Sequence, residues 1–221
     1  MGAPLHIRYL GRLPYHQAWE LQKTLVDQRL AGDIPDTLLL LEHDPVITLG
    51  RSGKRDSLLV DGDELSRRGI ELVHSDRGGD ITWHGPGQII GYAILDLRDG
   101  HRDVRRFVQG LEQTVIDTCA DYGVLPERLE GSPGVWLRDA PRGDRKIAAI
   151  GARFSRWITH HGFALNVNPN LEGFRLIVPC GLHGKDVTSL EAELGHKVPM
   201  GEVMERLAHH FARVFEREVR S

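Results

Sequence analysis

Hydrophobic positions recur along this chain in two rhythms. Three segments keep helical spacing. In the first, Tyr15, Ala18, Trp19, Gln22, Leu25, Val26 and Leu30 fall on one stripe, and Gly32 lies just past its end. In the second, Val104, Phe107, Val108, Leu111, Val115, Cys119 and Tyr122 share a face, with Gly123 expected to stop it. The third carries Val203, Met204, Leu207, Phe211, Val214 and Phe215. A shorter helix is expected to start at Thr188, because Thr188 and Glu191 have capping-box spacing. Elsewhere apolar residues alternate or run on between Gly, Pro, Asn and Asp breaks, as strands do. These runs cover 37–42, 88–97, 135–138, 146–154, 159–167 and 175–178.

Strands outnumber helices and often follow one another directly. The expected fold is therefore α+β, a mixed or antiparallel sheet with helices packed on it. A doubly wound fold would alternate strand and helix regularly. No repeat, low-complexity tract or clear linker divides residues 1–221, so one catalytic domain is expected. Pro141-Arg142-Gly143-Asp144 is the best loop candidate.

Composition narrows the function classes. With 28 basic and 31 acidic residues interspersed, no basic block points to nucleic acid. No apolar run approaches the roughly 20 residues that span a bilayer, and no signal-peptide pattern opens the chain. No membrane partner is expected. Two cysteines, Cys119 and Cys180, make no disulfide framework, so two free thiols in the reducing cytoplasm are expected.

The cysteines differ in setting. Cys119 sits on the apolar stripe of a predicted helix, where a thiol acts as a small hydrophobe. Cys180 lies between Pro179 and Gly181 at a predicted strand end. There it is equally a buried turn cysteine or a nucleophile, and a nucleophile needs a nearby cation. Lys146 opens the apolar run Ile147-Ala148-Ala149-Ile150-Gly151 and is a candidate for that cation, although a solvated strand-end lysine has the same pattern. Arg77, Gly78, Gly79, Asp80, Ile81, Thr82, Trp83, His84, Gly85 and Gly87 form a glycine-dense segment without phosphate-loop spacing. It is either a ligand-holding loop or a tight hairpin. His84, His160, His161 and His183 lack zinc-site spacing, so no metal is expected. The histidines also leave a Cys-His hydrolase open.

Four ordered blocks resolve these alternatives by resemblance. They are Glu42-His43-x-Pro45-Val46 with Leu49-Gly50-Arg51; Arg77-Gly78-Gly79 with Thr82-x-His84-Gly85-Pro86-Gly87-Gln88; Lys146-Ile147-Ala148 followed by His161-Gly162-x-Ala164-Leu165-Asn166-Val167-Asn168; and Pro179-Cys180-Gly181. In this combination the chain resembles the lipoyl(octanoyl) transferases, octanoyl-[acyl-carrier-protein]:protein octanoyltransferases of lipoate biosynthesis. The resemblance implies the fold of the biotin/lipoate protein ligase catalytic domain. It implies a Cys180 acyl-thioester and a Lys146 that favours the thiolate. It implies substrate contacts from Arg77 to His84, from Ala149 through Ile150 to Gly151, and from Gly162 through Phe163 to Ala164. Trp83 and Phe163 stand where Tyr and Leu are common in the family, and both are expected at the acyl tunnel.

The implied reaction takes octanoyl or lipoyl from acyl carrier protein to a lysine of apo lipoyl domains. The acceptors would be 2-oxoacid dehydrogenase complexes and glycine cleavage H protein, with no cofactor and no ATP. An ATP-dependent ligase on the same fold and a non-catalytic binder are the rival readings. Cys180 in its Pro179-Cys180-Gly181 setting speaks against the first, and Cys180 together with Lys146 against the second. Acidic partners call for a basic patch, either Arg51, Lys54 and Arg55 or Arg142, Arg145 and Lys146.

Overall fold

Leu38, Leu39, Leu40 and Leu41 are all fully buried, yet successive side chains of a strand point to opposite faces. A continuous run of this kind requires cover on both sides of the sheet. The computed structural model describes residues 2–98, 102–139, 142–178 and 185–220 and supplies that cover. Its elements are β1 (Ala3–Leu13), α1 (Tyr15–Ala31), β2 (Asp36–His43), β3 (Val46–Leu49), α2 (Gly62–Arg67), β4 (Glu71–His74), β5 (Ile81–His84), β6 (Gln88–Ile94), α3 (Val104–Ala120), β7 (Glu127–Leu129), β8 (Ser132–Asp139), β9 (Gly143–Ser155), β10 (Ile158–Asn166), β11 (Asp186–Val187), α4 (Leu190–Leu194), α5 (Met200–Val214) and β12 (Arg217–Arg220).

The large sheet runs β12-β1-β2-β6-β10-β9-β8-β7, with β11 pairing β9. It is mixed: β1 is parallel to β2 and β12, and the centre is antiparallel. One face, with Leu38, Leu40, Ile89, Ala93 and Leu165, packs on α3 and α5 through Leu111, Val115 and Phe211. The other, with Leu39, Leu41, Ile90 and Ile94, packs on Ala18, Leu25 and Val26 of α1. A small sheet, β4-β3-β5, builds its own core from Ile47, Leu49, Leu65, Ile81 and Trp83.

Asp36 ties the β1 edge together. It is 2% exposed and accepts from the guanidinium Nε of Arg29 and of Arg217, each at 2.8 Å, and from the Asp96 N–H at 2.9 Å. A buried carboxylate is stable only when paired in this way.

The three long helices form as their stripes predict, and the left-handed Gly32 caps α1. Three local expectations are corrected. Residues 175–178 form no strand: Leu171–Leu176 is a 3₁₀ turn, and Ile177 makes a single bridge to Leu58. The α4 cap is Ser189, which accepts from the Ala192 N–H, whereas the Thr188 hydroxyl donates to Glu193. α3 ends at Ala120, three residues before Gly123. Cys119 is fully buried, and burial pushes its thiol up to about 12, as a core cysteine requires. Pro179, Cys180, Gly181 and His183 lie outside the described residues, as does Pro141 of the candidate loop.

Candidate active site

β9 and β10 pair so that two segments far apart in sequence become one wall. Ala149 faces Ala164, Ile150 faces Phe163, and Gly151 faces Gly162. The opposite wall comes from the small sheet and the turn before it. Between them lies a cavity of about 450 Å³, in the range of small-molecule sites. Arg77, Gly78, Gly79, Asp80, Ile81, Thr82 and His84 line it, as do Ala149, Ile150 and Gly151, Gly162, Phe163 and Ala164, and Lys146.

Trp83 is brought elsewhere. β5 alternates, so Thr82 and His84 face the cavity, while Trp83 joins the small core against Phe174, its ring packed near Gly85 and Gly173. Phe163 does line the cavity, and its ring occupies the space that a Gly91 side chain would take.

Arg77 is spent on the backbone. It is 8% exposed; Nε donates to Thr48 Oγ1 at 2.9 Å, Nη2 donates to the carbonyls of Thr48 and Asp80, and Nη1 to that of Gly78. The guanidinium braces the glycine turn that lines the cavity. Gly50 is needed where it passes, because a side chain there would meet the Gly79 carbonyl and Arg77 Nη1.

One neutral imidazole, His84, lines the cavity, and a second, His43, stands next to it. Gln88 Nε2 donates to Asn166 Oδ1 at 2.8 Å, which turns its Oε1 toward His84 at 2.6 Å. His84 Nδ1 therefore carries the proton, and burial, reinforced by His43, takes its pKa down to about 3. His43 donates from Nδ1 to the Leu13 carbonyl and accepts at Nε2 from the Tyr92 hydroxyl at 2.7 Å. Burial lowers its pKa to about 4 against the pull of that carbonyl.

His160 and His161 are consecutive, yet both rings turn toward Asp76, because His161 has φ of 56°. The three groups place ligand atoms within 4.8 Å of one another, the one such cluster among the described residues. Arg153 already holds the Asp76 carboxylate at 2.7 Å. Burial opposes the charge of Asp76, but His161 and Arg153 keep its carboxyl well below the usual range. The arrangement braces the 76–79 turn to β9 by an ion pair and to β10 by a hydrogen bond.

Lys146 lines the same cavity from β9. Its ammonium lies 4.5 Å from the centroid of Trp136, which is 1% exposed. Its stem runs beside Gly134, where a side chain would sit 3.2 Å from Lys146 Cε. Gly134 is fixed in turn: its N–H donates to the buried Glu112, which also accepts from Arg128. Trp136 and Gly134 were not singled out in the sequence. The Gly131-Ser132-Pro133-Gly134 run just before an aromatic residue was the available signal.

The two basic patches separate. Arg142 and Arg145 are bound to Asp139 and to Glu193. Arg51, Lys54 and Arg55 are exposed, make no side-chain ion pair among the described residues, and flank Ser52 in the cavity wall.

Known proteins match this arrangement. The lipoyl protein ligase A/B catalytic domain family matches residues 14–212. An octanoyltransferase of Solibacter usitatus is 52% identical over 96% of this chain and 94% of its own length. One of Roseiflexus sp. is 49% identical over 97% and 88%. Among solved structures, a bi-partite lipoate protein ligase of Thermoplasma acidophilum superposes with TM-score 0.75 at 16% identity, over 100% of this chain and 86% of that one. A biotin protein ligase of Aquifex aeolicus gives 0.58 at 12% identity, over 96% and 70%. The structural likenesses show the fold, and the sequence identities place the chain more closely: it belongs to the lipoyl protein ligase A/B catalytic domain family, among the octanoyltransferases.

Proposed function

We propose that the chain moves an octanoyl group from acyl carrier protein to a lipoyl-domain lysine, with Cys180 carrying the group and Lys146 moving the protons. The observation that carries this reading is the position of Lys146. It lines the same cavity as the paired 149–151 and 162–164 segments. An acyl chain lies along those segments with its carbonyl toward the lysine.

The steps balance without ATP. The Cys180 thiolate attacks the donor thioester carbon, and the carbon–sulfur bond to the carrier breaks. The carrier thiolate leaves with a proton from the Lys146 ammonium. The amine of the acceptor lysine then attacks the Cys180 thioester, an amide forms, and the Cys180 thiolate is released. Lys146, now neutral, takes the proton lost by that amine. Acyl carrier protein and lipoyl domains are acidic, and the Arg51, Lys54 and Arg55 patch beside the cavity suits them. The lipoyl-domain acceptors are those of 2-oxoacid dehydrogenase complexes and glycine cleavage H protein. The thiol chemistry suits a reducing cytoplasm.

Intact mass spectrometry after incubation with octanoyl-carrier protein, without ATP, tests the reading. Wild type is expected to gain one hydroxylamine-labile octanoyl group, and Cys180→Ala none. An unmodified wild type, or full turnover by Cys180→Ala, would overturn it. Dependence on ATP would favour the ligase reading instead.

A further inference from the structure

Trp136 faces two ammonium groups. Lys146 Nζ is 4.5 Å and Lys185 Nζ is 4.8 Å from its ring centroid, both inside the range of cation–π attraction. The ring is immobile: it is buried, and its Nε1 donates to the Ser132 carbonyl at 3.0 Å. Laid end to end, the two distances put the ammonium groups within about 9 Å of each other, close enough for like charges to act on one another.

Lys185 is held there by the sheet. It immediately precedes β11, which pairs in parallel with β9 through Asp186–Arg145 and Val187–Lys146. Among the described residues, charged groups on the elements next to Lys146 have partners of their own. On β9, Arg145 is bound to Asp139 and to Glu193 of α4. Glu112 of α3 serves Arg128 and the Gly134 N–H. Asp186 of β11 is exposed and accepts from the Val187 N–H, and Arg138 of β8 pairs with Asp144 and Glu127.

We propose that Lys185 is a second cation of this centre, a positioning residue that acts across Trp136 to make Lys146 give up its proton once Cys180 is acylated. This rests on the reading of Cys180 and Lys146 given above. In the free enzyme the thiolate offsets one of two positive charges. Acylation removes that negative charge, and two ammonium groups are left facing one indole. Repulsion then favours transfer of the Lys146 proton to the departing carrier thiolate. The resulting free amine is the base that the acceptor step needs. Lys185 itself exchanges no proton in this cycle.

The test is the pH profile of single-turnover transfer from pre-formed acyl-enzyme to a lipoyl domain. Lys185→Met keeps an apolar stem and removes the charge. Its profile is expected to move toward alkaline pH by about half to one unit, so that transfer at pH 7 falls roughly 3- to 10-fold and recovers at high pH. Lys185→Arg keeps the wild-type profile. Urea unfolding midpoints confirm that both variants are folded. A Lys185→Met profile that coincides with wild type, or a loss equal at every pH, overturns the proposal while leaving the acyl-enzyme reading intact. Failure of wild type to form acyl-enzyme overturns that reading first, and this inference with it.

Discussion

Polar groups in and around the cavity are held on two opposite principles. On and beside the small sheet they are tied to the protein itself: Arg77 to carbonyls of Thr48, Gly78 and Asp80, His84 to Gln88, and His43 to Tyr92. Beside β9, the cations of Lys146 and Lys185 rest on an aromatic face. A guanidinium locked by directional bonds shapes a wall. An ammonium on a ring face feels a softer, less directional attraction. The lesson is that polar residues in a cavity are not all reagents: the more completely one is satisfied, the more structural it is.

Exchanging residues of the two kinds should separate chemistry from stability. Lys146→Ala should give the largest change, lowering transfer by roughly 10²- to 10⁴-fold with a nearly unchanged urea midpoint, because a proton-transfer group is lost. Single-turnover kinetics across pH measure it, and full activity would remove Lys146 from the mechanism. Arg77→Met should do the reverse. It leaves buried carbonyls without a donor and should cost about 3 kcal/mol of stability, while transfer per folded molecule at low temperature stays within a few-fold of wild type. Equilibrium urea unfolding reads this, and an unchanged midpoint would show that the turn does not need its brace.

Acid should weaken the fold in a graded way, with no residue exchanged. Burial lowers His43 and His160 to about 4 and His84 to about 3, so all three are neutral when folded and bind protons more readily when unfolded. Their contribution is complete above the ordinary histidine value near 6.5 and is lost as pH falls toward those lowered values. The slope should reach about 1.4 kcal/mol per pH unit for each histidine. Urea midpoints at pH 7, 6 and 5 should fall in that order, and a flat series would mean that these rings are protonated without cost.

How much of this was legible depends on the range of the interaction. The α1, α3 and α5 stripes and strands β2, β6, β8, β9 and β10 announced themselves, because each carries enough apolar residues to show its period, whereas β1, β7, β11 and β12 of the same sheet went unread. The small sheet went unread too. β3, β4 and β5 have four residues each, and β5 sits inside the glycine-dense segment. That omission also misplaced Trp83, since the alternation of β5 alone sends it away from the cavity. Residues 149–151 and 162–164 were implied as substrate contacts by resemblance, and their pairing with each other became visible only in the β9–β10 register. The pairing of Lys185 with Trp136 joins residues 49 positions apart through a strand order that no local pattern encodes.

The Asp36 brace has a consequence for the order in which the chain settles. One of its two guanidinium partners, Arg29, is a near neighbour, but the other lies 181 residues further along. During synthesis, β1, α1 and β2 must wait for β12 before the carboxylate between them is fully compensated. The sheet edge is thus a late seal on a structure whose catalytic half is already encoded upstream of it. A chain broken off before Arg217 would leave a half-paired buried charge beside an open β1 edge, the sort of defect that quality-control proteases recognise.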